Sequence, residues 1–567
     1  MSGLYGYIGR EDTSLLKKMG ETLPHRKRKY GEDIHRIPLQ NGLFLEFALI
    51  HSYSKNFSRF QKDENKIFAG SGIFLNNNLD VSGLSSFDGA FIGLAYTGNE
   101  FLLFRDPAGI KVVYYAQNSD RFLFSSELKA LFADKKLEKK IRLSAIPEYF
   151  TYSYIPGKET MFQNIYELEA GSYVKYQFPE AFVSERYFFP EKKENFNREI
   201  NLESIKNDLK ITIVQNIQSF YKQSQCDIGV FLSGGIDSSA VLALAYESGL
   251  NSIPSFSVHF GNQYISENEY IELMLKRYKT DHHYLEIKPS MFLKNLSDII
   301  YYLDEPIGDP VTVPNYLMSE YASDSVSAVF NGEGGDPCFG GPKNIPMLLS
   351  ELYSDRDNVE QKARLYLYSY QRAYKSLSQL LTPDFFKEAG GEEKLISTIL
   401  PFFETTEPKD FLNKLMWINI RRKGANLILP KVDKMSSANS LFAYPPLFLG
   451  NIISLSMNLP PSLKLKGNIE KWILKEVVRG FVPEEIIARP KSGMRVPVRF
   501  WFQNEMKRYA KKVLSKKRIK RQGIFNYEYI QTLLSYKENE VYASRYGLKL
   551  WMLITFFLWW DRILGEE

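Results

Sequence analysis

A short segment rich in glycine and serine has the residue types and spacing of a phosphate-binding loop. Residues 230–239 read VFLSGGIDSS, an apolar strand-like run followed by two glycines and the start of a predicted helix. Glycines let a backbone approach an anion, and the free N–H groups of a helix N-terminus, with serine hydroxyls, can bind it. The lysine of a Walker A loop is absent. The predicted phosphate ligands are Ser233, Gly234, Gly235, Ser238 and Ser239.

The same loop contains a carboxylate, Asp237, at a position where a triphosphate would repel it. A bridging Mg²⁺ makes such a pair favourable, because this cation prefers carboxylate and phosphate oxygens. Asp237 is therefore predicted to bind Mg²⁺ beside ATP. The competing interpretation is a glycine turn that merely begins a helix.

The segments around this loop would place it at the edge of a parallel sheet. Helices are predicted over 202–221 and 238–248, and strands over 228–232 and 255–260. Strand, helix and strand at this spacing are typical of a parallel α/β unit. The remaining chain alternates amphipathic helical segments with turns marked by Pro and Gly, which predicts a helical C-terminal part.

The first 190 residues contain short strand-like runs separated by Gly, Asn and Asp. The predicted strands are 43–50, 67–75, 90–96, 101–104, 112–115 and 122–124. The charged stretch 189–198, FPEKKENFNR, is the best linker candidate. We therefore predict two domains, a sheet-rich one over residues 1–190 and an α/β one over residues 200–567.

Composition narrows the class of protein. The net charge of +6 is small for 567 residues, so a nucleic-acid partner is not favoured. Only Cys226 and Cys338 occur, which fits a reducing cytoplasm. The N-terminus lacks a secretory pattern, and the apolar run 550–560 is shorter than the roughly 20 residues of a membrane span. We expect a cytoplasmic protein without a membrane partner, with 550–560 as a buried core helix.

The most basic segment is 507–521, which reads KRYAKKVLSKKRIKR. Charge runs of this kind are usually solvated helical faces. The alternative is a surface that binds an acidic substrate, a peptide or RNA.

Several motifs resemble those of one enzyme family. SGGIDSS after a strand is similar to the pyrophosphate loop of the ATP pyrophosphatases. Motifs similar to those of asparagine synthetases are NGEGGDPCFGGP at 331–342, DKMSSANS at 433–440, LKGNIEKWILKEVVRG at 465–480 and RPKSGMRVP at 489–497. Residues 105–115 and 122–132 resemble the end of that family's amidotransferase domain. The chain thus resembles glutamine-hydrolysing asparagine synthetases over nearly its whole length.

This resemblance implies an α/β and α+β protein. An N-terminal Ntn-hydrolase-like sandwich would precede an ATP-pyrophosphatase domain of adenine nucleotide α-hydrolase-like fold, with a parallel sheet and a helical C-terminal part. ATP and Mg²⁺ would be the cofactors. A carboxylic acid would be activated as an adenylate with release of pyrophosphate, and an amine or ammonia would then displace AMP.

The resemblance also assigns roles to single residues. Asp336 matches the second metal-binding carboxylate, which would hold Mg²⁺ together with Asp237. Glu333 matches a catalytic-pocket glutamate that would position the amine or take its proton. Lys471 matches the lysine that stabilises developing negative charge, although a surface helix lysine is the competing interpretation. The adenine site, or else ordinary strand-end packing, would involve Leu232, Val258 and Gly332.

The glutaminase half departs from the family pattern at its nucleophile and its glutamine site. Ser2 stands where working members have a cysteine, and it is either a hydroxyl nucleophile, a natural loss or an engineered change. The family's NGEIYN stretch reads SGIFLN at 71–76. Ser71 therefore occupies an oxyanion-hole position, and Ile73 replaces a glutamate that holds the substrate amine.

Three further positions differ in the same half. The family's HRGPD segment reads HRKRK at 25–29, no substrate-binding arginine is found near 48–51, and the loop between Asn78 and Phe87 is shortened. Apolar residues and deletions cannot replace the charges that bind an amino-acid zwitterion. We therefore predict that glutamine is not hydrolysed; the competing interpretation is an incorrect alignment of a diverged region.

Near the expected acyl pocket, the family's SLExRxPFLD reads SLFAYPPLFL at 440–449. Phe442, Tyr444 and Leu449 replace a Glu, an Arg and an Asp. Either the activated acid is larger or less polar than aspartate, or a structural ion-pair cluster has been replaced by packed apolar side chains.

Relatives without glutaminase activity include β-lactam synthetases and lasso-peptide cyclases. The Tyr–Glu pair of the β-lactam formers would fall at Glu333 and Phe442 and is absent, which disfavours that reaction. Tailoring of a biosynthetic intermediate and peptide or macrolactam formation remain open, with a peptide or other large acidic substrate and a possible homodimer. The alternatives are an ammonia-dependent asparagine synthetase and a nucleotide-binding pseudoenzyme or scaffold.

Overall fold

The computed structural model describes residues 3–27, 31–51, 55–63, 66–75, 81–98, 100–177, 182–190, 201–341, 345–353, 358–370, 372–491, 493–536 and 545–565. Two architectures follow each other along the chain. An antiparallel sandwich is built from residues 3–186, and a parallel sheet with many helices is built from residues 202–564.

The N-terminal sandwich consists of two six-stranded antiparallel sheets. In chain order its strands are β1 Gly3–Gly9, β2 Glu32–Pro38, β3 Phe44–Ile50, β4 Ser58–Asp63, β5 Lys66–Phe74, β6 Gly89–Tyr96, β7 Phe101–Arg105, β8 Tyr114–Gln117, β9 Arg121–Ser125, β10 Ile165–Glu167, β11 Ser172–Tyr176 and β12 Val183–Arg186. The sheet orders are β10-β8-β9-β1-β3-β2 and β12-β11-β7-β6-β5-β4. Three helices accompany them, Leu15–Glu21, Leu128–Leu131 and Ala145–Tyr152.

Strand alternation in β1 explains how the sandwich is layered. Leu4 and Ile8 belong to the apolar cluster that lies between the two sheets, whereas Tyr5 and Tyr7 pack into a second cluster with the helix Leu15–Glu21. Successive side chains of a strand point to opposite faces, so one strand supplies both layers. All seven residues of β1 are buried, as expected for a central strand covered on both sides.

The parallel sheet has five strands, β13 Ile228–Phe231, β14 Ser255–His259, β15 His282–Glu286, β16 Ala328–Phe330 and β17 Phe442–Tyr444. Their order is β15-β14-β13-β16-β17, and every neighbouring pair is parallel. The chain moves from β13 to one side of the sheet and later returns to its other side at β16. Such a reversal opens a crevice at the carboxyl ends of the strands, where ligands of open α/β sheets bind.

Helices cover this sheet and form most of the C-terminal part. The helices between β12 and β17 are Leu202–Ser224, Ile236–Glu247, Asn268–Arg277, Pro289–Leu303, Thr312–Ala322, Gly335–Phe339, Ile345–Tyr353, Val359–Ser369, Leu377–Leu380, Pro383–Glu388, Gly391–Ser397, Leu400–Glu404, Phe411–Ile418 and Leu429–Ala438, with a π-helix at Asn419–Ile428. Those after β17 are Gly450–Met457, Pro461–Lys464, Trp472–Val478, Glu484–Ala488, Val498–Gln503, Lys507–Val513, Lys516–Gln522, Tyr527–Ser535 and Tyr546–Leu564. A two-stranded ribbon, β18 Leu465–Lys466 and β19 Ile469–Glu470, lies among them.

The apolar run 550–560 lies in the helix Tyr546–Leu564, and most of its side chains are buried in the largest apolar cluster. This agrees with the prediction of a core helix. Among the residues that the structure describes, none of the helices combines the length and the hydropathy of a membrane-spanning segment.

The predicted fold class is confirmed, an α/β and α+β protein with a sandwich followed by a parallel sheet and a helical part. The predicted strands and helices occur with ends shifted by a few residues. Six strands of the sandwich were not predicted, namely β1, β2, β4, β10, β11 and β12. Of these, β2, β4, β10 and β12 are the edge strands of their sheets, and the exposed, polar sequences of β2 and β4 lack an alternating apolar pattern. Of the linker candidate 189–198, only residues 189 and 190 fall within the described ranges.

Candidate functional site

The predicted phosphate loop lies between β13 and the helix Ile236–Glu247, whose N-cap is Gly235. The Ser238 hydroxyl accepts a hydrogen bond from the Ser233 amide at 3.1 Å and donates one to the Gly235 carbonyl at 3.2 Å. Gly234 has a φ of +70°, and a Cβ there would come within 2.9 Å of Tyr270. The loop is therefore folded as a cradle around the N-terminus of a helix, as an anion site requires.

A second loop, after β16, packs directly against this helix start. A Cβ on Gly332 would lie 2.6 Å from the Ser238 amide nitrogen, and one on Gly335 would overlap the Asp237 carboxylate. Only residues without a side chain allow so close an approach. The two glycines therefore bring Glu333 and Asp336, which flank them in sequence, to the edge of the phosphate loop.

Four charged side chains meet where the two loops join, and we call Asp237, Asp336, Lys471 and Lys491 the Asp–Lys cluster. The Lys471 ammonium lies 2.8 and 2.6 Å from the two Asp237 carboxylate oxygens and 2.5 Å from Asp336 Oδ1. Lys491 lies 3.0 Å from Asp237 Oδ2 and 3.7 Å from Asp336 Oδ1. Three predicted site residues and one that was not predicted are thus in direct contact.

Lys471 is placed by a strained backbone. It has a φ of +55° at the N-cap of the helix Trp472–Val478, and its side chain is completely buried. Such a conformation costs about 1 kcal/mol for a residue with a Cβ. The competing interpretation of Lys471 as a surface lysine is wrong, because the ammonium is enclosed between the two carboxylates.

Burial and neighbouring charges shift the pKa values of this cluster in opposite directions. Burial would raise the pKa of Asp336, but the ammonium groups of Lys471 and Lys491 hold that pKa well below its usual range. The Asp237 carboxylate raises the pKa of Lys491 despite burial. Burial raises the pKa of Glu333, against the opposing effect of Lys431 and Lys491. The neighbouring charges therefore favour the ionised forms of Asp336 and Lys491, while burial makes Glu333 more basic than an ordinary glutamate.

The cluster fits a magnesium ion that is shared with phosphates. One lysine nitrogen contacts an oxygen of each aspartate, so both carboxylates face a common point where a cation binds. Within the described ranges, no three His, Cys, Asp or Glu side chains converge in a way that could hold a metal by themselves. Mg²⁺ is commonly bound by one or two carboxylates with phosphate oxygens completing its shell, which matches this donor set.

A cleft opens beside the phosphate loop at the carboxyl ends of β13 and β14. Ser233 and Val258, two of the predicted nucleotide-binding residues, line it. Leu232 is buried beneath it, with its amide donating to the Phe256 carbonyl, and Gly332 contacts the helix start instead of the cleft. The structure thus brings Val258 to the cleft but not the side chain of Leu232.

The far wall of this cleft is formed by residues 489–491 and 493–495, a segment for which no role was predicted. Gly493, Met494 and Arg495 line the cleft. Arg489 fixes the segment to the phosphate loop, donating to the Gly234 carbonyl at 3.2 Å and to Glu267 Oε1 at 2.5 Å. The sequence feature that could have predicted a role for this segment was the match of RPKSGMRVP to a family motif.

One position of the predicted glutamine site, Ile73, lies where the sandwich packs against the C-terminal part. Ile73 is buried in an apolar cluster that also contains Phe57 and, from the C-terminal part, Phe220 and Phe442. The rings of Phe57 and Phe442 stack with centroids 4.8 Å apart. The Ser71 hydroxyl is buried without a hydrogen-bond partner among the described residues. Ser2 and residues 28 and 29 of the HRKRK segment lie outside the described residues.

The three residues that replace charged family residues near the expected acyl pocket lie in the same apolar cluster as Ile73. Phe442, Tyr444 and Leu449 are all completely buried in the apolar cluster that holds Phe57. None of them lines the cleft beside the phosphate loop. Of the two interpretations of SLFAYPPLFL, the geometry favours replacement of a structural charge cluster by packed apolar side chains.

Polar contacts also join the sandwich to the C-terminal part. The Asp88 carboxylate accepts hydrogen bonds from the amides of Gly450 and Asn451 at 2.9 and 2.7 Å, at the start of the helix Gly450–Met457. The Lys111 ammonium lies 2.5 Å from Asp433 Oδ1 and 3.9 Å from the centre of the Phe442 ring. The sandwich therefore positions elements of the C-terminal part.

Comparison with known proteins agrees with this arrangement. The family model described as asparagine synthase matches residues 221–562, and the glutamine amidotransferase domain model matches residues 78–188. The chain is 25% identical to asparagine synthetase [glutamine-hydrolyzing] 1 of Bacillus subtilis (strain 168) over 501 residues, covering 84% of this chain and 78% of that protein.

Two other relatives are similar over most of their length. Asparagine synthetase [glutamine-hydrolyzing] 3 of Bacillus subtilis (strain 168) is 26% identical, with 71% of this chain and 67% of the relative covered. Amidase chry2 of Gibberella zeae is 20% identical, with 85% and 80% covered. The phosphate loop, the Asp–Lys cluster and the family match lead to one conclusion: the chain belongs to the asparagine synthase family and is an ATP-dependent, AMP-forming carbon–nitrogen ligase.

Proposed function

We propose that this protein forms an amide bond by adenylating a carboxylic acid and passing the acyl group to an amine or ammonia, without hydrolysing glutamine. The Asp–Lys cluster at the N-terminus of the phosphate-loop helix carries this proposal. A scaffold that did not turn over ATP would gain nothing from enclosing the Lys471 ammonium between two carboxylates at that place, since burying a charge is unfavourable. The pseudoenzyme alternative is therefore disfavoured.

In the first step, a carboxylate oxygen of the acid attacks the α-phosphorus of ATP. The bond from this phosphorus to the bridging oxygen breaks, and pyrophosphate leaves with the negative charge. Asp237 and Asp336 would hold Mg²⁺, which supplies charge neutralisation for the β and γ phosphates when it is bound. The amides at the start of the helix Ile236–Glu247 and the hydroxyls of Ser233, Ser238 and Ser239 bind the phosphate oxygens.

In the second step, the amine nitrogen attacks the acyl carbon and AMP leaves. Glu333 takes the proton that the nitrogen loses, and its pKa, which burial raises, suits this role. The Lys471 ammonium lies where negative charge develops on the phosphate and on the tetrahedral intermediate. Its buried and strained position keeps that cation fixed before the reaction begins.

Two features support the absence of glutamine hydrolysis. Ile73 contributes an apolar side chain where a charged one would bind the substrate amine. The stacked rings of Phe57 and Phe442 occupy the space between the two halves. Apolar side chains and stacked rings offer no hydrogen bonds to the charged groups of a glutamine zwitterion. In this proposal the nitrogen enters from solvent, as ammonia or as the amine of a second substrate.

The acid is proposed to belong to biosynthetic tailoring or to peptide or macrolactam formation. The basic segment 507–521, with eight exposed Lys and Arg side chains on two short helices, is available to a peptide or another large acidic substrate. The second candidate is an ammonia-dependent asparagine synthetase. Phe442, Tyr444 and Leu449, which stand where the family has charged residues, do not line the open cleft, so their apolar character does not argue against aspartate as the acid. We further propose a cytoplasmic protein, with a homodimer as the assembly to be tested.

Isotope exchange between pyrophosphate and ATP tests the adenylation step. A panel of carboxylic acids that includes aspartate and acidic peptides should contain at least one that stimulates exchange, and AMP should appear when an amine is added. Asp336→Asn should abolish exchange, whereas Asp384→Asn, at an exposed position on the helix Pro383–Glu388, should leave it unchanged. Equal exchange in wild type and Asp336→Asn would refute the assignment of the site.

Ammonia release tests the glutaminase part. Purified protein incubated with glutamine, ATP and a stimulating acid should release no more ammonia than a heat-treated sample. Supply of ammonium ions or a primary amine should support AMP formation in the same mixture. Ammonia release from glutamine above the heated control would overturn the proposed loss of this activity.

A further inference from the structure

A strongly basic surface is assembled from both halves of the chain. Segment 507–521 supplies eight exposed Lys and Arg side chains on the helices Lys507–Val513 and Lys516–Gln522, and segment 135–140 of the sandwich supplies four exposed lysines and one glutamate. We propose that these two segments, which we call the basic surface, bind a stretch of a peptide substrate that is rich in Asp and Glu. This inference rests on the proposed function and deepens it, because it names one class of substrate and the place that selects it.

The C-terminal helix Tyr546–Leu564 brings the two segments together. The Lys139 ammonium donates to the Ile563 carbonyl at 2.8 Å, and Arg518 forms an ion pair with Asp561. Asp561 and Ile563 both lie in the last turn of that helix. Residues of one helical turn lie within about 6 Å of each other along the axis. The two segments are therefore neighbours in space, although they are far apart in the sequence.

Like charges repeat on the two helices of segment 507–521. Each helix carries two pairs of basic residues four positions apart, namely Lys507 with Lys511, Arg508 with Lys512, Lys516 with Lys520 and Lys517 with Arg521. Such pairs destabilise a helix, and basic residues in a first turn oppose the helix dipole. Ion pairs with a described residue are absent for Lys507, Arg508, Lys511, Lys512, Lys516, Lys517 and Lys520. The run of one sign therefore costs stability in the free protein, and the carboxylates of a bound peptide would lower that cost.

An exposed apolar patch lies between the basic surface and the cleft beside the phosphate loop. Ile265 lines the cleft and is 74% exposed. The ring of its neighbour Tyr264 lies 5.9 Å from that of Phe500, which is 51% exposed. Phe500 belongs to the helix Val498–Gln503, and this helix contacts Lys507–Val513 of the basic surface. A chain held by its acidic residues on the basic surface therefore has an apolar path to the cleft.

These surroundings favour a peptide over a nucleic acid. A peptide offers carboxylate and apolar side chains along one chain, and the exposed Ile265 and Phe500 suit the apolar ones. Surfaces that bind single-stranded nucleic acid combine a basic groove with aromatic side chains on which bases stack. The single aromatic residue of segment 507–521, Tyr509, instead packs partly buried against the apolar core. The net charge of +6 is also small for a nucleic-acid-binding chain of this length.

Fluorescence anisotropy of a labelled peptide of Glu-Glu-Leu repeats measures this binding directly, without ATP. The matched peptide of Gln-Gln-Leu repeats has the same length and no charged side chains, and it should bind at least about tenfold more weakly at low salt. The affinity for the acidic peptide should fall as salt is raised, because exposed charges are screened. A single-stranded RNA with the same number of negative charges should bind more weakly than the acidic peptide, and tighter binding of RNA would overturn the proposal.

Charge reversal in each segment tests whether both halves contribute. Lys511→Glu combined with Lys512→Glu should weaken binding of the acidic peptide about fivefold or more, because attractive contacts become repulsive. Lys135→Glu combined with Lys140→Glu should have an effect of the same size. All four positions are exposed, so the unfolding midpoint and the circular dichroism spectrum should stay as in wild type.

Lys62→Glu combined with Lys66→Glu is the matched control, at exposed positions of β4 and β5, and it should leave the affinity unchanged. In the exchange assay, a peptide substrate with Glu-Glu-Leu repeats should have a lower KM than one with Gln-Gln-Leu repeats, and both charge reversals should reduce that difference. Wild-type affinity for the acidic peptide in both folded double variants overturns this inference. Absence of exchange with every acid, although the acidic peptide binds, would instead refute the proposed function.

Discussion

Replacing Gly332 by alanine tests how closely the phosphate loop depends on the loop after β16. A Cβ at this position would lie 2.6 Å from the Ser238 amide nitrogen, 2.9 Å from the Asp237 carbonyl carbon and 3.0 Å from the Ser238 Cα. Ordinary contact begins near 3.4 Å, so the start of the helix Ile236–Glu247 must retreat by about 0.8 Å. The atoms involved are backbone atoms, which no side-chain rotation can move aside.

The magnitude follows from this displacement. A shift of about 1 Å in groups that bind the reacting part of a substrate costs about 100-fold, so ATP affinity of Gly332→Ala should fall between about 10- and 100-fold. Overpacking also destabilises a protein by typically 1–3 kcal/mol, and the free energy of unfolding in urea should fall by about that amount. Titration of the folded variant with Mg²⁺·ATP, at a temperature well below its unfolding midpoint, measures the first effect.

Adenosine distinguishes the two roles that have been considered for Gly332. It lacks phosphates, and it would occupy only the cleft lined by Val258. If Gly332 supports the phosphate loop, adenosine affinity should be nearly unchanged while ATP affinity falls. Equal losses for both ligands would return Gly332 to the adenine site and refute the reasoning. Gly31→Ala is the control, because a Cβ there meets no atom within 4 Å.

Three other substitutions address stability: two remove contacts between the two halves, and one removes a buried lysine within the C-terminal part. Phe57→Ala removes a ring stacked on Phe442 and should lower the free energy of unfolding in urea by about 3–5 kcal/mol; a loss below about 1 kcal/mol would show that the apolar contact is not tightly packed. Asp88→Ala removes the carboxylate that accepts from the Gly450 amide and should lower the unfolding midpoint by an amount equivalent to about 1–2 kcal/mol, while an unchanged midpoint would contradict this capping role. Burial lowers the pKa of Lys464 to about 7, so between pH 7 and 10.5 the unfolded chain binds one proton more than the folded one and stability rises with pH. Between pH 7 and pH 9 wild type should therefore gain roughly 2 kcal/mol relative to Lys464→Met, and parallel pH profiles of the two proteins would exclude this effect.

The sequence was most informative where local pattern and chemistry coincide. An apolar strand, two glycines and a helix start predicted the phosphate loop, and β13 and the helix Ile236–Glu247 occur there. It could not predict that Lys491 would meet Asp237, because these residues are 254 positions apart and only the tertiary fold brings them together. The role of Phe442 likewise could not be predicted from its residue type, since an aromatic residue fits an acyl pocket and a hydrophobic core equally well.

The same geometry gives a physical reason for keeping the sandwich whether or not it hydrolyses glutamine. Asp433, in the motif DKMSSANS, is paired with Lys111 of the sandwich, and the helix Gly450–Met457 begins on the Asp88 carboxylate. Asp433 also follows Lys431 in the same helix, and Lys431 acts on the pKa of Glu333. Removal of the sandwich would take away both the ammonium partner of Asp433 and the carboxylate on which the helix Gly450–Met457 begins. The residues around the acyl site therefore depend on the sandwich for their position, whatever its own chemistry has become.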